Sequence, residues 1–121
     1  MSVSLHQLLD LLDNSPESVE FDEVMAVIAD NYDFSPTSFS NGLGDDKVIN
    51  EQGTNEGSCR IFAFAQLNDL SVEKTLHCFG AYYRNDVLQN PQGSDHGNIR
   101  AFMSYGWSGI TFDAPALSAK A

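Results

Sequence analysis

The chain has 121 residues and a net charge of −11, a length that is typical of one domain. The chain has 17 acidic residues and only six basic ones. The sequence therefore predicts no affinity for nucleic acid, whose phosphates require Lys and Arg. No apolar run approaches the roughly 20 residues of a membrane span, and the N-terminal segment lacks the features of a secretory signal. Plentiful aromatic residues favour a folded, soluble domain over disorder.

The acidic charge is concentrated in the first half of the chain. Residues 1–56 hold 12 of the 17 acids and one base, Lys47, whereas residues 57–121 are neutral overall. Such a half could attract a basic partner, or it could simply keep the surface solvated. We favour the solvated surface, since charge runs usually have that role.

Two amphipathic helices are predicted near the N-terminus. Ser4 and Gln7 have the spacing of a capping box, and four leucines then form one apolar face: Leu5, Leu8, Leu9 and Leu12. The second helix is expected to begin near Phe21, with Tyr32 on its apolar face, and to end at "FSP", residues 34–36. The residue before a proline is pushed out of the α region, which explains the expected end.

Residues 37–57 are rich in glycine and asparagine, so a helix is not expected there. Within them "TSF" and "KVI" are predicted as short strands, and "GITF" at 109–112 is predicted as a final strand. These segments are separated by turn-forming residues. Any sheet that they form is therefore expected to be small.

Three further helical segments are predicted in the second half. Apolar residues alternate in "SCRIFAFAQLNDL" as in a strand, but its length and alanine content favour a helix. Ser71 is a suitable N-cap for a helix over "VEKTLHCFGAYYRNDVL". A turn at residues 90–93 leads to a short helix capped by Ser94 or Asp95 and ended by Gly106. The prediction is therefore an α+β fold over residues 1–121, with about five helical segments and a small sheet of short strands.

Several long strings of the second half resemble a known family. They are "GSC" before the aromatic segment, "TLHCFGAYYRNDVL", "PQGSDHGNIR" and "GWSGI", with "FSNG" and "VINEQGTNEGSC" upstream. Together they resemble the HopJ type III effector protein family over most of the chain. The resemblance implies a bacterial cytoplasmic protein, and delivery into a host cell by type III secretion is a further expectation. It implies no enzymatic activity, cofactor or catalytic residue set.

Cys59 is a candidate nucleophile because it is expected near a helix N-terminus, which stabilises a thiolate. His77 and His96 are the candidate bases for it. The alternative is that Cys59 is a small buried apolar residue, and we favour this interpretation. Reduced thiols are expected by default, although the sequence leaves a bridge between Cys59 and Cys78 open.

A polar cluster, Asp95, His96, Asn98 and Arg100, lies directly before an apolar stretch. Asp95 is predicted to cap the following helix, with Asn98 assisting it. His96 and Arg100 are spaced i and i+4 and could bind an anion. Alternatively they face water, or pair with Asp86.

Arg84 is expected to join a structural network with Asp86 or Asp95. A shared pocket of Asn55, Arg84, His96 and Arg100 is a separate hypothesis. Neither metal-ligand spacing nor a cofactor motif is found, so no metal or cofactor is expected. The leading hypothesis is a non-enzymatic protein that binds an unknown protein or a small anionic ligand. The alternative is a small enzyme that uses Cys59 with a histidine, or His96 with Arg100.

Overall fold

The computed structural model describes residues 3–120. The first helix, α1, spans Leu5–Asn14, and the second, α2, spans Phe21–Asn31. The predicted capping box is confirmed. Ser4 Oγ accepts from the Gln7 amide at 3.1 Å, and Gln7 Oε1 accepts from the Ser4 amide at 2.9 Å. Two free donors at the start of α1 are thereby satisfied.

Helix α2 ends earlier than the sequence predicts. Tyr32–Phe34 forms strand β1, which is antiparallel to strand β5, Leu117–Ala119. The prediction that Tyr32 lies on the helical face is therefore wrong. Its partner strand comes from the opposite end of the chain, and the local pattern of residues 21–36 cannot reveal that pairing.

The predicted strands of the glycine-rich region and the C-terminal region are present, with bounds shifted by one to two residues. Strand β2, Phe39–Asn41, lies between β3, Val48–Asn50, and β4, Thr111–Phe112, in a three-stranded antiparallel sheet. The short strands of residues 3–120 therefore form two small sheets.

The central element is helix α3, Glu56–Leu67, which confirms the helical prediction for this segment. Phe62 is fully buried, and its ring centroid lies 4.9 Å from that of Phe102 and 5.5 Å from that of Phe79. Aromatic contacts of this kind add to the burial of apolar area. The predicted α+β class, helix-rich with short strands, is confirmed.

The long helix predicted over residues 72–88 is wrong. Ser71 does cap helix α4 by accepting from the Lys74 amide, but α4 covers only Val72–His77. The chain then bends at Gly80, whose φ is +60°, and continues as a π-helical segment, Tyr82–Val87. An added Cβ at Gly80 would lie 2.7 Å from the Phe21 backbone nitrogen.

Helix α5 spans Gly97–Tyr105 and ends at Gly106, as expected. Its N-cap is His96 in the left-handed conformation, and no side chain caps its first turn. The predicted cap at Ser94 or Asp95 is therefore wrong. No helix within residues 3–120 is long and apolar enough to cross a membrane.

Candidate functional site

A cavity of about 400 Å³ opens where helices α3 and α5 begin. Three aromatic residues contribute to its lining: Phe21, Phe79 and Tyr82. The start of α3 contributes Asn55, Gly57 and Ser58, and the start of α5 contributes His96, Gly97, Asn98 and Ile99. The volume falls within the range of small-molecule sites.

The two helix starts at this cavity have the same unusual geometry. Asn55 and His96 are the N-cap residues, and their φ angles are 49° and 52°. Neither helix has a side-chain cap, so the first backbone amides of both helices are left without a side-chain acceptor. Left-handed backbone is uncommon outside glycine and occurs often at functional sites.

The aromatic wall is held together by ring contacts. The Phe21 and Tyr82 rings meet edge to face with centroids 5.1 Å apart. The His96 ring lies 5.4 Å from the Tyr82 ring, and its Nε2 atom lies 3.0 Å from Asp86 Oδ2. Since 28% of the His96 side chain is exposed, it borders both the cavity and solvent.

An asparagine network lies behind the cavity. Asn98 is 7% exposed and Asn50 is 1% exposed, and their side-chain amides pair reciprocally at 2.9 and 3.0 Å. Asn41 Nδ2 donates to Asn98 Oδ1 at 3.1 Å, and Asn55 Nδ2 donates to Asn50 Oδ1 at 2.7 Å. Buried amides linked in this way resist reorientation. The network fixes the side chains of Asn55 and Asn98 at the cavity.

Arg100 and Asp95 lie away from this cavity and bind each other. Arg100 Nη2 donates to Asp95 Oδ1 at 2.7 Å, while its Nη1 donates to the Asn90 carbonyl at 3.0 Å. The hydrogen bond from Arg100 lowers the pKa of the exposed Asp95 carboxyl. Arg100 instead lines a separate cavity of about 220 Å³. Arg100 therefore does not line the cavity with Asn55 and His96, although its partner Asp95 also lies 3.8 Å from His96 Nε2.

Arg84 also lies outside the cavity, and the predicted network with Asp86 or Asp95 is wrong. Its guanidinium donates to the carbonyls of Pro16, Val19 and His77. It also lies 3.2 Å from His77 Nδ1. Burial, followed by the charge of Arg84, lowers the pKa of His77. Arg84 thus joins the turn before α2 to the segment after α4.

Cys59 is 2% exposed, and its Sγ lies 3.9 Å from the Thr37 carbonyl oxygen. Burial raises the pKa of the Cys59 thiol, which opposes formation of a thiolate. The expected stabilisation by the start of α3 is therefore outweighed by burial. Cys78 is also free and buried, and burial raises its pKa to about 12. These features favour the apolar interpretation of Cys59.

Of the pocket predicted from Asn55, Arg84, His96 and Arg100, only Asn55 and His96 line this cavity, and most of the surrounding residues were not predicted. Phe21, Tyr82 and Asn50 come from three distant segments, and no local pattern marks them as neighbours. Within residues 3–120, no group of three or more His, Cys, Asp or Glu side chains could hold a metal ion.

The fold and the cavity define a small, helix-rich α+β protein with a polar and aromatic site at two helix starts. Its sequence matches the family model described as HopJ type III effector protein over residues 5–117. The chain therefore belongs to the HopJ type III effector protein family.

A solved crystal structure, that of the unknown-function protein VPA0580, is similar to this chain. The two are 53% identical, with a TM-score of 0.92, and the match covers 99% of this chain and 97% of the other. None of the curated proteins matches the sequence.

Proposed function

We propose that this protein is a non-enzymatic binding protein whose ligand is a small aromatic molecule with one anionic group. The observation that carries the proposal is the cavity at which two uncapped helix starts face an aromatic wall. The site would hold the anionic group at the helix amides and the ring against Tyr82 and Phe21.

The helix starts favour an anion for two reasons. The first backbone amides of a helix are unused donors, and each helix dipole places roughly half a positive charge at its N-terminus. Phosphate and carboxylate groups bind such sites readily. Here the starts of α3 and α5 line the same cavity, so their effects add.

The ligand is expected to carry little charge and to be planar. A chain with a net charge of −11 repels polyanions, which argues against nucleic acid and against multiply phosphorylated ligands. Tyr82 is 45% exposed and offers its ring to a planar partner. An offset or edge-on aromatic contact adds about 0.5–1.5 kcal/mol beyond the buried area.

The side chains suited to catalysis are engaged elsewhere, which supports binding over chemistry. The Cys59 thiol is buried beside the Thr37 carbonyl, and Arg100 is bound to Asp95 and to backbone oxygens. His96 pairs with Asp86, and that pair could serve either to position the ring or to move a proton. Binding without turnover requires no nucleophile, so it is the simpler function for a site with these side chains.

Calorimetric titration with benzoate and with benzamide tests the proposal, since the two differ in charge but not in shape. We expect benzoate to bind at least about tenfold more tightly, because charge-assisted hydrogen bonds are about twice as strong as neutral ones. Tyr82→Ala should weaken benzoate binding. Leu88→Ala is the matched control, since Leu88 has similar exposure, 46%, and lines another cavity. Equal affinity for both compounds, or equal effects of both variants, would count against the proposal.

We further propose that the protein is made in a bacterial cytoplasm and delivered into a host cell by type III secretion. The family to which the chain belongs is described by that delivery. A translocation reporter fused to the C-terminus should reach host cells only when the secretion system is intact. Equal reporter signal with and without a working system would contradict delivery.

A further inference from the structure

We propose that this protein pairs with a second copy of itself through strand β3, whose outer edge lies antiparallel to the same edge of the other copy about a two-fold axis. The strand order of the three-stranded sheet is β3, β2, β4, so β3 has no neighbouring strand on its outer side within residues 3–120. An unpaired strand edge is a template for pairing with another chain. None of residues 48–50 lines the cavity described above, so this pairing is independent of the proposed ligand.

The backbone N–H and C=O groups of Ile49 point away from the sheet at this edge. The Gly42 amide donates to the Gly109 carbonyl at 3.1 Å, on the β4 side of β2. Successive residues of a strand direct their backbone groups to opposite sides. Those of Asn41 therefore face β3, where its partner is Val48. Since Val48 faces β2, the next residue, Ile49, directs its donor and acceptor outward.

The residues on either side of Ile49 make this edge complementary to itself. Lys47 and Glu51 lie two positions before and after Ile49, and both are exposed. Neither side chain forms an ion pair within residues 3–120. Antiparallel pairing centred on Ile49 places each Lys47 directly opposite Glu51 of the other copy. Opposite charges at such positions stabilise a sheet, whereas parallel pairing would oppose like charges.

Ile49 provides the apolar contact at the centre of this edge. It is 66% exposed, the highest value among the exposed large apolar residues of the described chain. Across the two-fold axis the two copies of Ile49 would lie side by side, with Cα atoms about 5.5 Å apart, and would shield each other from water. A three-residue edge buries much less than the roughly 1,200 Å² of a stable interface. We therefore expect a weak dimer, with a dissociation constant on the order of 100 µM.

Sedimentation velocity tests the pairing between about 10 µM and 1 mM, a range that brackets the expected dissociation constant. The mass of the unmodified protein should rise from one chain towards two. Ile49→Lys should remain a single chain, because it brings two positive charges together at the axis. Leu67→Lys is the matched control: Leu67 is 54% exposed and lies on α3, so this variant should dimerise like the unmodified protein.

Charge reversal tests the register of the pairing. Lys47→Glu should weaken the dimer about tenfold, because it opposes two acids at both ends of the contact. Adding Glu51→Lys should restore the dissociation constant to within about threefold, since the pairs then form with their signs exchanged. Lys120→Glu is the control for net charge, because Lys120 is exposed and lies just after β5 in the other sheet. This variant should dimerise like the unmodified protein.

Far-UV circular dichroism of each variant establishes that the fold is retained. The proposal is overturned if the unmodified protein remains a single chain at the highest concentration, in which case the edge is left to a strand of a different protein. It is also overturned if Ile49→Lys dimerises as well as Leu67→Lys does. A double variant that dimerises no better than Lys47→Glu alone would exclude the antiparallel register centred on Ile49, and with it the proposal.

Discussion

Replacing Gly80 with alanine should destabilise the fold more than any ordinary surface substitution. Gly80 is buried, its φ is +60°, and an added Cβ would lie 2.7 Å from the Phe21 backbone nitrogen. Left-handed backbone costs an alanine roughly 1–2 kcal/mol. The close approach adds about 1–3 kcal/mol, because backbone atoms rather than a flexible side chain must move. We expect a loss of about 3 kcal/mol in the free energy of unfolding.

Gly44→Ala is the matched control for this prediction. Gly44 has φ of +59°, but its added Cβ would meet nothing within 4 Å. It therefore carries the conformational cost alone, about 1–2 kcal/mol. The difference between the two variants isolates the contact between Gly80 and the start of α2.

Urea denaturation followed by circular dichroism measures both losses, and thermal unfolding should show a fall in Tm of about 10 °C for Gly80→Ala. Gly80→Ala should also weaken benzoate binding, because it displaces Phe21 in the cavity wall. If Gly80→Ala loses no more stability than Gly44→Ala, the close approach to the Phe21 backbone does not destabilise the alanine variant.

Three further predictions concern buried and half-buried polar groups. The pKa of Cys78 rises from 9.0 to about 12 in the fold, so its contribution to stability is present below pH 9 and is lost as the pH rises towards 12. At pH 10 the protein should therefore have lost roughly 1 kcal/mol relative to Cys78→Ala, as measured by urea unfolding at several pH values. Arg84→Met should raise the lowered pKa of His77, because the positive charge beside the ring is removed. An NMR titration of the His77 ring protons that shows no upward change would contradict that reasoning. Asn98→Ala should destabilise the protein by about 2–3 kcal/mol, because it removes both hydrogen bonds that the buried Asn50 amide makes with Asn98. A loss below about 0.5 kcal/mol in urea unfolding would mean that the network is not needed for stability.

Helix caps and helix ends could be predicted from the sequence where neighbouring residues determine them. The capping box of Ser4 and Gln7, the N-cap of Ser71 and the end of α5 at Gly106 are all present. The helix predicted across Gly80 failed because glycine inside a helical pattern is usually tolerated. The helix is interrupted at Gly80, which packs against the backbone of Phe21, a residue far away in the sequence.

The candidate site was harder to predict because its parts are brought together by tertiary contacts. Asp95 is a residue type that often caps helices, but its carboxylate accepts a hydrogen bond from Arg100 instead. The N-cap residue of α5 is His96. The pairing of Asn50 with Asn98 spans 48 positions of the sequence, so no periodicity reveals it. Cys59 was expected at a helix start and is found there, but its burial decides its chemistry.

An NMR titration of the ¹⁵N-labelled protein with benzoate would show directly whether the cavity binds an aromatic anion. We expect saturable shifts that are largest for the backbone amides of Gly57, Ser58, Gly97 and Ile99, at the two helix starts that line the cavity. Shifts that centre on another surface, or no saturable shift at millimolar concentration, would contradict the claim that this cavity binds aromatic anions.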